Sequence, residues 1–240
     1  MQDVIIECCA NSISSALTAI KAGVDRIELC KNLENGGETP DYSDIIKLRE
    51  LTKIPIHILI LPKANKFIYS DNELEKINHD INFCKKNNID GVVIGALENN
   101  TVDIFQMKKI IKTAKPMKVT FHRAFDTLNE IENNLHTIIE LGCNYLLTSG
   151  QKGNVDLGKE NIEKIIQLAD NNIKIIAGGG VNINNIELLY KLGVREFHLS
   201  GTLKNIDKNL ETNYEIIRDV VKKLKSINNQ NYIDKENLLN

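Results

Sequence analysis

A chain of 240 residues, 42% of them hydrophobic, has enough apolar material for one sizeable core and matches the size of a (β/α)8 barrel, about 250 residues. Lys and Arg number 30 against 32 Asp and Glu, a net charge of −2, so there is no electrostatic footprint for DNA, RNA or an anionic membrane, and neither kind of partner is expected. The start Met1-Gln2-Asp3 is not basic, no run approaches the roughly 18 apolar residues of a membrane span, and the five cysteines (Cys8, Cys9, Cys30, Cys84, Cys143) contain no C-x-x-C pair; a reduced, cytoplasmic protein is expected.

Along the chain, short apolar runs alternate with amphipathic stretches. A strand is predicted over 4–8, a helix over 12–22, strands over 26–29 and 56–60, and a helix over 72–86. Then follow a strand over 91–94, a helix over 102–114, a strand over 118–121, a helix over 130–141, a strand over 145–147, a helix over 160–169, a strand over 174–177, a helix over 183–192 and a strand over 196–199. Ala22-Gly23-Val24, Leu141-Gly142-Cys143 and Leu192-Gly193-Val194 repeat one pattern, a glycine that ends a helix just before a strand. Regular β/α units of about 25–35 residues indicate parallel strands with crossover helices, and their regularity favours a closed α/β barrel over an open doubly wound sheet. The expected organisation is a single barrel over residues 1–227. A polar, Asn-rich extension over 228–240 follows, with Ile233, Leu238 and Leu239 as its apolar anchors.

Alternation within the strands separates two faces. The apolar set can face the helices only if Glu7 and Cys9, then Arg26, Glu28 and Cys30, then His57, Leu59 and Leu61, then Thr120 and His122, then Glu196, His198 and Ser200 face the barrel interior. One such residue reads as a satisfied core polar, for instance in an ion pair of Arg26 with Glu28 or Glu196. Six on five strands (Glu7, Glu28, His57, Thr120, His122 and His198) are costly to bury without something to serve, so the titratable Glu7, Glu28, His57, His122 and His198 are the catalytic candidates. Barrel enzymes place their chemistry at the C-terminal ends of strands. There Gly178, Gly179 and Gly180 end one strand and Ser200 and Gly201 another, forming a candidate anion cradle to which Ser149 adds a hydroxyl. Cys9 and Cys30, inward on adjacent strands, read either as a two-thiolate site for a soft ion such as Cu(I) or as inert buried cysteines. No lysine sits at the C-terminal end of a core strand, which disfavours a Schiff base, and no P-loop, G-x-S-x-G or H-E-x-x-H motif occurs.

Six stretches carry a family resemblance: Glu7-Cys8-Cys9-Ala10-Asn11-Ser12, Ala22-Gly23-Val24-Asp25-Arg26-Ile27-Glu28-Leu29-Cys30, Asn35-Gly36-Gly37-Glu38-Thr39-Pro40, Thr120-Phe121-His122-Arg123-Ala124-Phe125-Asp126, Leu147-Thr148-Ser149-Gly150 and Ala177-Gly178-Gly179-Gly180-Val181. Together they resemble the CutC copper homeostasis family from about residue 4 to 201. The resemblance implies a (β/α)8 barrel, an intracellular protein of copper handling, and Cu(I) bound through Cys9 and Cys30. One departure stands out: after the third strand the family usually carries Arg-Pro-Arg-Gly-Gly, whereas this chain has Leu61-Pro62-Lys63-Ala64-Asn65. A mouth cation is lost at Leu61 and Lys63 replaces an arginine, a change that is not neutral at a bidentate anion site. Three functions remain open. The first is a copper-binding homeostasis protein. The second is a barrel enzyme acting on a small carbonyl or sugar compound, phosphorylated or not, with His122 and Glu7 or Glu28 as acid and base and with Arg123, Lys63 and the glycine loop holding the anion. The third is a homo-oligomer, a dimer, assembled through the tail.

Overall fold

Eight parallel strands close into a barrel, each paired with the next in sequence and the last paired back to the first. They are β1 (Ile5–Ala10), β2 (Arg26–Leu29), β3 (Ile56–Leu59), β4 (Gly91–Ile94), β5 (Lys118–Phe121), β6 (Tyr145–Thr148), β7 (Lys174–Gly178) and β8 (Glu196–Leu199). The computed structural model describes residues 3–204 and 210–239, with side chains through residue 230. Outside the barrel run α1 (Ile13–Ala22), α2 (Tyr42–Leu51), α3 (Asp71–Lys86), α4 (Ile104–Ala114), α5 (Ile131–Glu140), α6 (Val155–Ala169), α7 (Ile186–Lys191) and α8 (Tyr214–Leu239). The expected single-domain (β/α)8 barrel is therefore the architecture the chain adopts. Two small hairpins rise after β4 and β8, Leu97–Glu98 against Thr101–Val102 and Thr202–Lys204 against Leu210–Thr212. Among the described residues no helix is long and apolar enough to cross a membrane.

Local chemistry explains where the elements begin and end. The Ser12 side chain accepts from the Ser15 N–H and starts α1, and Gly23 at φ 96° closes it by donating to the Ala19 and Ile20 carbonyls. Ser70 and Glu73 cap α3 reciprocally. The apolar strand faces predicted to meet the helices do so: Ile6, Cys8, Ile27, Ile56 and Ile58 are all fully buried, as are Phe121 and Phe197. Cys84 is core on α3.

Three helices depart from the sequence reading by two residues or more at a boundary. Helix α6 starts at Val155 rather than at 160, because Asn154 caps it by accepting from the Leu157 N–H and the helix tolerates Gly158 within its second turn. Helix α7 is shorter than 183–192, because Asn182 and Asn185 hydrogen-bond each other in an asparagine turn ahead of it. Helix α4 begins at Ile104, since Val102 belongs to a hairpin and Asp103 is the cap. The expected 228–240 extension continues the backbone of α8 as far as Leu239; Tyr190 donates to the Asn228 side chain at 3.1 Å, while the side chains of Ile233, Leu238 and Leu239, and Asn240 entirely, lie outside the described residues.

Gly158 also matters for the mouth. A Cβ there would lie 1.8 Å from the Ser149 carbonyl oxygen, so the bare backbone is what lets α6 press against the loop after β6. Gly158→Ala is expected to destabilise the fold by about 3 kcal/mol, as overpacking against rigid backbone. Urea denaturation checks this; a change under about 1 kcal/mol would show that the close approach is not required.

Candidate functional site

Strand register sorts the inward polar residues into tiers. Glu7 on β1 sits opposite Arg26 on β2 and His198 on β8; one step toward the mouth, Cys9 sits opposite Glu28, which itself faces His57. The lower tier is a buried ion network. Arg26 bridges Glu7, through its Nε, and Glu196, through Nη2 at 2.7 Å, and its guanidinium lies 4.8 Å from the centre of the Tyr145 ring. Of the two partners expected for Arg26, Glu196 is paired and Glu28 is not. Register explains the difference: Glu28 lies two residues farther along β2, level with Cys9, and Glu7 takes its place beside Arg26.

Glu7 also accepts from His198 Nδ1–H at 2.6 Å. Burial opposes its ionisation, but Arg26 and the His198 hydrogen bond outweigh that and hold its carboxyl well below the usual carboxylate range. His198 shows the converse. Burial disfavours its charge, yet the carboxyls of Glu28 and Glu7 raise its pKa. His57 Nδ1 is 3.8 Å from Glu7 but has no hydrogen-bond partner among the described residues, and burial pushes its pKa down to about 4.

The upper tier opens into a cavity of about 790 Å3 at the C-terminal mouth. Of the residues predicted from sequence, Cys9, Glu28, His122, Arg123, Gly179, Gly180, His198, Ser200 and Gly201 line it. Cys9 S–H donates to Glu28 Oε1 at 3.3 Å, and its sulfur is 3.7 Å from Cys30 Sγ. The Cys30 contact, then burial, raise the Cys9 thiol well above its ordinary pKa. Burial likewise raises Glu28, whose Oε2 has no partner among the described residues. His122 Nδ1 accepts from the Ala124 N–H at 3.3 Å, which leaves the proton on Nε2, also without a partner there; burial pushes this imidazole down to about 4.

Other predicted residues lie elsewhere. Glu7 and His57 are beneath the cavity floor, because alternation gives their face but not their height. Cys30 is buried behind Cys9, and Gly178 packs against His198 and Leu147. Ser149 is fully buried and bonded to Arg123, Asp126 and the Lys152 carbonyl, so its hydroxyl is not offered to an anion. Lys63 is exposed and off the lining, beyond the end of β3; Leu61 faces the cavity as predicted, with Asn65 beside it. Sequence reasoning missed Asp126 and Lys152. Asp126 accepts from Arg123 Nε at 2.7 Å, from the Ser149 N–H and hydroxyl, from the Thr148 hydroxyl and from the Gln151 N–H, which ties the loops after β5 and β6 together. The one sequence signal was an acid three residues after Arg123.

The buried imidazoles make stability pH-dependent. His57 and His122 bind protons in the unfolded chain near pH 6.5 but in the folded one only near 4, so their contribution is complete above about 6.5 and falls as pH drops toward 4. His198 acts oppositely, contributing below about 6.5 and losing its effect as pH rises through its higher folded value. Over pH 6.5 to 4 the His198 contribution is already complete and constant, so the two buried imidazoles set the slope, and acidification is expected to lower the urea midpoint. His122→Gln should remove roughly one proton equivalent from that slope, and an unaltered slope would refute the assignment.

The family model of the CutC family matches residues 4–203. A CutC family protein of Bacteroides fragilis is 36% identical over 220 residues, covering 90% of this chain and 87% of its own. One from Histophilus somni is 41% identical over 198 residues, 82% of each chain. Among solved structures, the putative copper homeostasis protein CutC from Streptococcus agalactiae superposes with a TM-score of 0.78 at 27% identity, over 82% of this chain and 98% of that one. An aldolase at TM-score 0.63 and 14% identity, over 82% and 89% of the two chains, shares the barrel alone. With the family model spanning nearly the whole barrel and relatives this similar over most of their length, the chain belongs to the CutC family.

Proposed function

We propose that this protein takes part in copper handling and binds Cu(I), as cargo, through Cys9 and Cys30. The observation that carries the reading is the pair of thiols 3.7 Å apart on adjacent strands, one of them in the wall of an open cavity. A soft monovalent ion favours such sulfur donors. A further carboxylate and imidazole stand close by: ligand atoms of Cys9, Glu28 and His198 lie within 4.8 Å of one another. Since Nδ1 of His198 is taken by Glu7, Nε2 is the nitrogen left for a ligand. The name of the Streptococcus agalactiae relative, a putative copper homeostasis protein, agrees with this reading.

A second reading has its own support. Glu28 and His122 line a cavity far larger than one ion needs, and each carries a buried polar atom, Oε2 and Nε2, without a partner among the described residues. Those features suit an acid–base enzyme acting on a small metabolite, with Glu28 and His198 beside the reacting atoms and Glu7 and Arg26 orienting the imidazole.

Anaerobic Cu(I) titration against a chromophoric chelator decides the first reading. One tight equivalent is expected, weakened at least 100-fold in Cys9→Ser/Cys30→Ser. Unchanged stoichiometry and affinity in that variant would overturn it.

A further inference from the structure

We propose that the glycine turn after β7 and Arg123 form an anion-binding pole for a small organic acid or phosphate ester that also carries a hydroxyl or carbonyl group. The inference deepens the acid–base reading and does not depend on the copper one.

The donors are in place. Gly179 and Gly180 follow one another at φ 98° and 87°. Their carbonyls are occupied: Gly179 accepts from the Val155 N–H at 2.9 Å, and Gly180 from the side chains of Asn182 and Asn185 at 2.8 and 2.9 Å. Their N–H groups have no hydrogen-bond partner among the described residues, and both glycines line the cavity. Over them lies the Arg123 guanidinium, so close that a Cβ on Gly179 would be 3.0 Å from Cζ and from Nη1. Asp126 holds Nε and Ser149 holds Nη2, whereas Nη1 bonds to nothing among the described residues. Arg123 is thus positioned by its neighbours with one donor edge left over, next to two free backbone donors. Lys152 lines the same wall and adds a second positive charge.

The other pole is what makes an organic ligand the occupant rather than an inorganic ion. Glu28 and His122, 4% and 5% exposed, both line the cavity, and each carries a buried polar atom without a partner among the described residues, Oε2 and Nε2 respectively. Buried polar atoms of this kind call for a partner, which a hydroxyl or carbonyl on the ligand supplies. The two poles adjoin. A Cβ on Gly178 would stand 3.2 Å from the side chain of His198, a ring nitrogen of which lies within 4.8 Å of a Glu28 carboxylate oxygen, and the next residue lies under Arg123. A cavity of about 790 Å3 accommodates a metabolite bridging them.

The test is calorimetric titration of the metal-free, full-length protein with inorganic phosphate, glycerol 3-phosphate, glycerate and, as the neutral control, glycerol. Saturable binding of glycerol 3-phosphate or glycerate is expected, at least 10-fold tighter than inorganic phosphate, with none for glycerol; the tighter of the two assigns the anionic group as phosphate or carboxylate. Arg123→Gln should weaken both organic anions at least 10-fold. Because that change also removes the bond to Asp126, Lys152→Gln, at an exposed position, serves as a second variant and should weaken them 2- to 5-fold with an unchanged melting temperature. Glu28→Gln should erase the advantage of the organic anions over phosphate. Absence of saturable binding by any anion at millimolar concentration, or anion binding indifferent to both cation variants, overturns the proposal; loss of turnover or of copper binding alone leaves the measured affinities intact and does not mimic that failure.

Discussion

Arg26 is the constraint on which the barrel interior depends. It lies between two carboxylates, Glu7 and Glu196, with all three groups at most 5% exposed. Desolvating charges is expensive, and three ions of this kind persist only where each is both paired and hydrogen-bonded. Lys174, 3.6 Å from Glu196, and His198, bonded to Glu7, add further positive charge, and the carboxyls of Glu28 and Glu7 are why this imidazole favours its proton despite burial. The network therefore fixes the ring of His198, and through it the side wall of the cavity where Gly178 and the glycine turn begin.

A second hub acts in the same sense on the opposite wall. Asp126 collects donors from the loops after β5 and β6, and it leaves Arg123 only one free edge. Gly150 and Gly158 allow α6 to close on that loop backbone to backbone. Between the two hubs lie groups that neither of them satisfies: Glu28 Oε2, His122 Nε2 and the N–H groups of the glycine turn. Unpaired polar atoms on residues of a cavity wall are the ones a ligand would complete on the readings proposed above. Sulfur, carboxyl and imidazole donors crowd one side of the same space, so on the two proposed readings an ion and an organic ligand would compete for Glu28 and His198 while differing in their need for Cys30 and Arg123.

Much of the interior was legible because strand side chains alternate. On β1 the isoleucine at position 6 requires the core, so Glu7 and Cys9 have nowhere to go but inward, and the same logic places Glu28, His122 and His198. It could not say how far up the barrel each one sits. Neighbouring strands are staggered, and the stagger comes from inter-strand pairing: Glu7 pairs with Arg26 and Cys9 with Glu28, so Glu7 falls a tier below Cys9, while His57, paired with Glu28, is nonetheless off the lining. The same ignorance of height made Arg26–Glu28 look as plausible as Arg26–Glu196. Loop residues were the least legible. Lys63 and Ser149 are the right chemical types for an anion site, yet backbone geometry past the strand end turns one to solvent and buries the other in hydrogen bonds.

The sequence by itself determined the barrel, the inward set of polar side chains, and the glycines and cysteines at its mouth, because the period-two pattern and the glycine punctuation are properties of consecutive residues. The tertiary structure alone decided which of those side chains share a tier, which charges cancel, and which polar atoms remain unpaired. These depend on strand register and loop closure between residues as far apart as Glu7 and His198, and distances of that kind are set by packing the whole barrel rather than by any local run of residues.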